Sequence, residues 1–310
     1  MQLFDQAAVA RSLPYPTLIE ALAQGLQTPI ESPLRSHFEP NHDNSTVLLM
    51  PAWRPHQQAG VKLVTFWPGN GAQGLSTIAG VYVLLSCTNG LPLAVMDGTE
   101  LTLRRTAAAG ALAARHLARP DSQTLAVLGT GNLCLPMALA HTSALPLQRV
   151  LVWGRDAAKA QSAAQLMRDQ GLNAEAVLQL PDALAQADVV CAATAAATPF
   201  VRAEWVRPGT HLGLMGAFTS QMAEAEPALL ARAQVFADLR AAVLEKGGEV
   251  LQAIQQGLIS EAAVQADLAQ ITAPGAVSWR RDAQAITVFK SVGFAALDLI
   301  AAEQVWRAQQ

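Results

Sequence analysis

The sequence predicts an α/β protein of two domains, one built on a doubly wound parallel sheet and the other a smaller α+β unit. Three observations carry this expectation. From Leu125 to about Phe236, short apolar runs alternate with longer Ala-rich amphipathic stretches, the pattern of repeated βα units. The chain has 310 residues, more than one hydrophobic core usually organises, so two domains with a ligand crevice between them are expected. Half of it is hydrophobic (51%), with 5% aromatic and 15% charged residues, a balance that suits a compact α/β chain and excludes disorder.

Taken in order, the first hundred or so residues carry strand-like runs at Thr46 to Met50, Val61 to Phe66 and Val81 to Ser86, separated by Pro and Gly turns. The Ala-rich tract from Arg105 to Arg115 reads as a helix linking the domains. Six strands follow: Leu125 to Leu128, Val150 to Trp153, Ala174 to Leu178, Asp188 to Ala193, His211 to Met215 and Gln234 to Ala237. With helices between most of them, they complete a doubly wound sheet. The final run, ITVFKSVGFAALDLIAAEQVW, reads as one amphipathic helix from Ile286 to about Arg307, able to return to the N-terminal domain. The expected partition is therefore 1–112 with 286–310, and 113–285.

Several classes are excluded. A net charge of -3 without a basic run gives no footprint for a nucleic acid. The six histidines are scattered with no HExxH pair, so no catalytic metal is expected. Cys87, Cys134 and Cys191 lack the spacing of a zinc site or a disulfide framework. The start, MQLFDQAAVARSLPYP, has no charged and apolar leader pattern, and no run reaches the roughly 18 apolar residues of a membrane span, so a cytoplasmic protein is expected.

The first chemical motif is Gly129-Thr130-Gly131-Asn132-Leu133-Cys134, directly after the strand at Leu125 and before a helical run from Leu133 to Leu145. In a GxGxxG loop the first Gly permits a tight turn, the second lets the backbone approach a pyrophosphate, and the third position needs a small residue for helix packing. Cys134 takes that third position, departing from Gly while remaining small. Pro136 falls in the first helical turn, where its missing N–H costs nothing. The loop therefore predicts a Rossmann domain that binds a dinucleotide, read as NAD(P)H. After the second strand, where an NAD-selective site carries a carboxylate, this chain has Gly154, then Arg155 and, one turn on, Lys159. Cations there suit a 2′-phosphate, so NADPH is favoured and NADH remains possible. Asp156 reads as the cap of the following helix.

Beyond that loop, PLRSHF around Arg35, AGVKLV around Lys62, LTLRRTAAAGALAARHLARPD, LGTGN, VWGRD, RPGTHLGLMGAF and FKSVG occur in order along the chain. The series resembles the ornithine cyclodeaminase/mu-crystallin family over nearly the whole length. The resemblance implies a Rossmann dinucleotide-binding domain joined to a discontinuous α+β domain, built from both chain ends, that binds substrate and makes a homodimer. It implies hydride transfer at the α-carbon of a small amino acid or its imine. It places Arg35, Lys62 and Arg105 on the substrate carboxylate, with the RTAA spacing selecting Arg105 over Arg104. Guanidinium forks suit that task because they bind a carboxylate through two parallel hydrogen bonds.

Within the family, Gly216-Ala217-Phe218-Thr219 discriminates. Cyclodeaminases resemble Gly-Gly-Asp there, and a phenyl ring cannot act as a general base. The expected reaction is reduction of a cyclic imino acid, Δ1-pyrroline-2-carboxylate or Δ1-piperideine-2-carboxylate, to L-proline or L-pipecolate. Lys62 is the candidate catalytic residue as proton donor, with water as the alternative. Thr194 and Ser291 are candidates to line the nicotinamide pocket, capping being their competing role. The other readings are ornithine cyclodeamination, alanine dehydrogenation, and an NADPH-dependent small-molecule binding protein of mu-crystallin type. His37 and His211 read as structural.

Overall fold

The computed structural model describes residues 1–41, 43, 45–276 and 278–309. Its elements, in chain order, begin with β1 (Gln2–Phe4), α1 (Gln6–Ser12), α2 (Tyr15–Gly25), β2 (Ser36–Phe38), β3 (Thr46–Trp53), β4 (Gln58–Phe66), β5 (Ile78–Ser86) and β6 (Pro92–Asp97). Helix α3 (Gly98–Leu117) leads to β7 (Thr124–Leu128), α4 (Cys134–Ala144), β8 (Arg149–Trp153), α5 (Ala157–Asp169), β9 (Ala174–Ala176), α6 (Leu180–Gln186), β10 (Val189–Ala192) and β11 (His211–Leu214). The chain continues through α7 (Pro227–Ala231), β12 (Ala233–Ala237), α8 (Arg240–Lys246), α9 (Gly248–Gln255), β13 (Val264–Asp267), α10 (Leu268–Ile271) and β14 (Ile286–Lys290), and ends in α11 (Ala295–Arg307). Among the described residues no helix is long and apolar enough to cross a membrane.

Two compact units result, one of Met1–Arg105 with the segment that begins at Phe294, the other Thr106–Gly293. In the first unit six strands form a sheet ordered β1-β6-β5-β4-β3-β2, antiparallel except where β1 meets β6. The alternation of strand side chains sorts its faces. Met50, Lys62, Tyr82 and Met96 stand in one cross-strand row, all buried, on the face where α11 packs over β3, β4 and β5. The opposite face carries the rows Leu49, Leu63 and Val81, and Pro51, Val61, Val83 and Val95.

The second unit holds an eight-stranded sheet, ordered β13-β12-β14-β11-β10-β7-β8-β9, in which every described pair is parallel. Its central strands are buried on both sides, as in Val189 to Ala192 and Ile286 to Lys290. From β7 the chain steps outward through β8 and β9, then crosses back to β10 and β11. That reversal beside β7 is the switch point at which open α/β sheets bind ligands.

Several expectations change. The sheet has eight strands rather than six, because β13 and β14 join it. Ile286 to Lys290 is not the start of a helix belonging with the N-terminal segment but a strand between β11 and β12. A strand buried on both faces has no polar alternation, so its apolar run merges with the helix that follows. Gly293, at φ 76°, breaks the two apart. The expected segment 286–310 is thus divided at Phe294, and its last residue, Gln310, lies outside the described residues. The other expected boundary, 112/113, falls instead at 105/106 inside α3, whose Gly110 lies against His141 and Met215 of the second unit's own chain segment.

Candidate functional site

The dinucleotide loop follows from β7. Gly129 adopts φ 120°, a conformation that L side chains avoid, and a Cβ there would lie 2.9 Å from the carbonyl oxygen of Ala193 and 3.0 Å from Thr194 Cγ2. Its N–H donates to Trp153 O at 2.9 Å, fixing the turn to the end of β8. Gly131 is exposed, and a Cβ built on it meets nothing within 4 Å. Asn132 is exposed and Thr130 and Leu133 are half-buried. Leu133 is the N-cap of α4 without a side-chain cap, and Cys134 N donates to Gly131 O at 2.9 Å, closing the loop onto the helix start. The loop thus fits a pyrophosphate, with an open second glycine and an uncapped eleven-residue helix behind it.

Cys134 satisfies the third position by packing: it is buried, and burial pushes its thiol up to about 12, so it stays a neutral, small side chain. At Gly154 an added Cβ would lie 2.6 Å from the Thr130 methyl, so Thr130 fills the space a longer residue would need. Arg155 and Lys159 are exposed, and Asp156 caps α5, accepting from Ala158 N at 2.9 Å and Lys159 N at 3.1 Å.

Thr194 and Ser291 stand after β10 and β14, each spent on a carboxylate. Thr194 donates to Glu224 Oε1 from its backbone N at 2.6 Å and its hydroxyl at 2.8 Å, and Gly216 N donates to Oε2 at 2.8 Å. A Cβ on Gly216 would collide with the Thr194 backbone, so the exits of neighbouring strands β10 and β11 close on one another. Ser291 is buried and donates to Asp238 Oδ2 at 2.7 Å, alongside the N–H groups of Val292 and Gly293. Below them Lys290 donates to the Ala217 carbonyl at 2.6 Å and pairs with Glu249 Oε2 at 2.7 Å. Burial, above all, raises the Glu224 carboxyl, with Lys290 acting against it. Sequence reading missed Glu224, Glu249 and Lys290; the only signal was three ionisable residues in otherwise apolar surroundings.

In the first unit, the structure gathers Lys62 and Arg105. Lys62, 1% exposed, donates from Nζ to Asp298 Oδ1 at 2.8 Å, and Arg105 donates from Nε to the same oxygen at 2.8 Å. Burial and the Arg105 charge bring the Lys62 ammonium down to about 7, Asp298 opposes them, and Arg35 adds to the lowering. Arg35, half-buried, is therefore within electrostatic reach of Lys62. Tyr82 lies over Gly60, and its hydroxyl is raised by burial first and then by Asp298 and Glu303. Asp298, which the sequence reading did not single out, is fully buried in α11.

The residues set aside stay aside. Arg104 pairs with Glu100 at 2.7 Å, donates to Leu13 O and covers the Tyr15 ring. His211 is buried against Thr287 and held neutral by burial, while His37 is exposed beside Glu39.

Known proteins resemble this chain in sequence and in fold. The sequence profile of the ornithine cyclodeaminase/mu-crystallin family covers residues 9–309. A Δ1-pyrroline-2-carboxylate reductase of Paracoccus denitrificans is 38% identical over 93% of this chain and 91% of its own length. Among solved structures, the Thermococcus litoralis Δ1-pyrroline-2-carboxylate reductase in complex with NADH and L-proline superposes with a TM-score of 0.95 at 27% identity, covering 99% of this chain and 97% of that one. An archaeal alanine dehydrogenase dimer with bound NAD reaches 0.92 at 28% identity, covering 99% and 95%. With a family profile spanning nearly its whole length and the same fold at the level of both sheets, this chain belongs to the ornithine cyclodeaminase/mu-crystallin family.

Proposed function

We propose that this protein uses NADPH, with NADH as a second donor, to reduce Δ1-pyrroline-2-carboxylate, Δ1-piperideine-2-carboxylate or both to L-proline and L-pipecolate. The observation that carries the reading is the buried pair Lys62 and Arg105 on one oxygen of Asp298, with Arg35 in electrostatic reach. Lys62 and Arg105 share a single carboxylate oxygen, an arrangement that supports a site able to accept an imino-acid carboxylate. The protein is an oxidoreductase acting on a C=N bond with a nicotinamide cofactor, and its substrate is a small molecule.

The cofactor, when bound, supplies a hydride to the imine carbon. The chain does the rest. Arg105 and Arg35 hold the carboxylate and thereby fix the α-carbon. Lys62, at about 7, is divided between ammonium and amine near neutral pH, so Nζ can give its proton to the imine nitrogen and recover one from water. Carbon gains a hydride, nitrogen a proton, and no amine leaves. Phe218 stands in the half-buried loop after β11 and offers no base, which favours this simple reduction over ring closure with loss of ammonia.

Three finer readings accompany it. Gly129, Thr130, Gly131, Asn132 and Leu133 hold the pyrophosphate, with Thr194 and Ser291 fixing strand exits near the nicotinamide. Arg155 and Lys159 meet the 2′-phosphate; Gly154 and the Thr130 methyl beside it support that preference by leaving no carboxylate for a ribose hydroxyl. The first unit binds substrate and forms a homodimer through its uncovered sheet face, where Leu63 and Val81, paired neighbours, are 38% and 43% exposed.

The test is a substrate panel. NADPH oxidation with the five- or six-membered imino acid is expected. Ammonia release from L-ornithine with catalytic NAD would indicate cyclodeamination instead, and turnover of pyruvate plus ammonia would indicate alanine dehydrogenation. Tight NADPH binding without any turnover would indicate a binding protein.

A further inference from the structure

Asp298 is used oddly for a structural residue. Its Oδ1 accepts from both Lys62 and Arg105, while its Oδ2 is buried with no hydrogen-bond partner among the described residues. A buried ion pair is weak support for stability, and one that stacks two cations on one oxygen and leaves the other unpaired is weaker still. That arrangement does fix the distance between an ammonium and a guanidinium. Lys62 comes from β4, Arg105 from α3 and Asp298 from α11, so the carboxylate ties three separate elements.

We propose that Asp298 is the positioning residue of this cation clamp, holding Lys62 Nζ and Arg105 Nε at one spacing and serving as counter-ion to the proton that Lys62 donates. The proposal rests on the reductase reading above. Arg105 spends Nε on Asp298, and its terminal edge is the part that meets the substrate carboxylate. The groups bearing on Lys62 are Arg105 and Arg35, which disfavour its proton, and Asp298, which retains it by charge and hydrogen bond; Tyr82 stands beside it in the sheet row. Removing the Asp298 charge leaves only the opposing influences. Lys62 then loses its proton at lower pH.

The experiment compares the pH dependence of kcat/KM, which reports the free enzyme, for wild type, Asp298→Asn and Asp298→Glu with Δ1-pyrroline-2-carboxylate. Titration of the substrate itself enters all three profiles alike. In the Asn variant, which keeps the shape and the acceptor oxygen, the alkaline limb is expected to move down by about one pH unit or more. In the Glu variant the limb stays near the wild-type position, and KM and L-proline affinity, measured by calorimetry, worsen about tenfold because the added methylene displaces the shared oxygen. An unmoved limb in the Asn variant overturns the proposal. Should that variant not fold, unchanged KM and L-proline affinity in the Glu variant overturn it. Wild-type inactivity with both ring sizes fails the reductase reading itself, before any variant is compared.

Discussion

At the scale of single residues, the chemistry was unevenly legible. Arg35, Lys62 and Arg105 are ordinary cations in the sequence, and only the ordered resemblance picked them out; the structure then placed Lys62 and Arg105 on one carboxylate. Asp298 was hidden because it sits inside AALDLIAA, where one acid in an apolar helix looks like the solvent side of an amphipathic pattern. Arg155 is the residue on which the proposed preference for NADPH turns. Arg155→Ala is expected to raise KM for NADPH about tenfold or more while leaving NADH nearly unchanged; equal losses would remove it from the 2′-phosphate. A second expectation concerns His141, which burial pushes down to about 4. An unfolded histidine binds its proton near 6.5, so between that value and about 4 the unfolded state holds the extra proton, and stability falls as pH falls through this window. His211, also lowered by burial, adds to the same trend. Melting temperature should therefore drop from pH 7 to pH 4.5, and His141→Gln should flatten the slope; an unaltered slope would assign the acid sensitivity elsewhere.

At the scale of elements, the strand-turn-helix around Gly129 was legible because its constraints are local: a strand, a left-handed glycine and a helix start lie within a dozen residues. Cys134 shows that the third position asks for small size rather than for glycine. What could not be seen were β13 and β14, since β14 makes sense only between β11 and β12, partners far away in sequence. The carboxylate clamps on the strand exits, Glu224 on Thr194 and Gly216 and Asp238 on Ser291, are likewise tertiary. Gly129 gives the direct test of this element. Gly129→Ala places a Cβ 2.9 Å from Ala193 O in a backbone conformation that alanine avoids, so NADPH affinity by fluorescence titration should fall at least about tenfold. Undiminished affinity would contradict the assignment of the loop.

At the scale of the whole molecule, one unit carries the glycine loop after β7, and the other carries the Lys62, Arg105 and Asp298 cluster and an apolar sheet face. The rows Leu49, Leu63, Val81 and Pro51, Val61, Val83, Val95 are too apolar to serve as a solvent face alone. If the proposed homodimer forms through this face, Leu63→Glu with Val81→Glu should give a monomer by light scattering, whereas a wild type already monomeric would contradict that proposal. The family and the two-sheet architecture were legible from motifs spread along the chain, while the apolar sheet face emerged only once strand register paired its rows. The most direct test of the central claim is the steady-state rate of NADPH oxidation with Δ1-pyrroline-2-carboxylate for wild type and Arg105→Ala. Wild type is expected to turn over and the variant to lose about a hundredfold or more in kcat/KM. A wild type inactive with both ring sizes, or a variant within about threefold of wild type, would contradict the account.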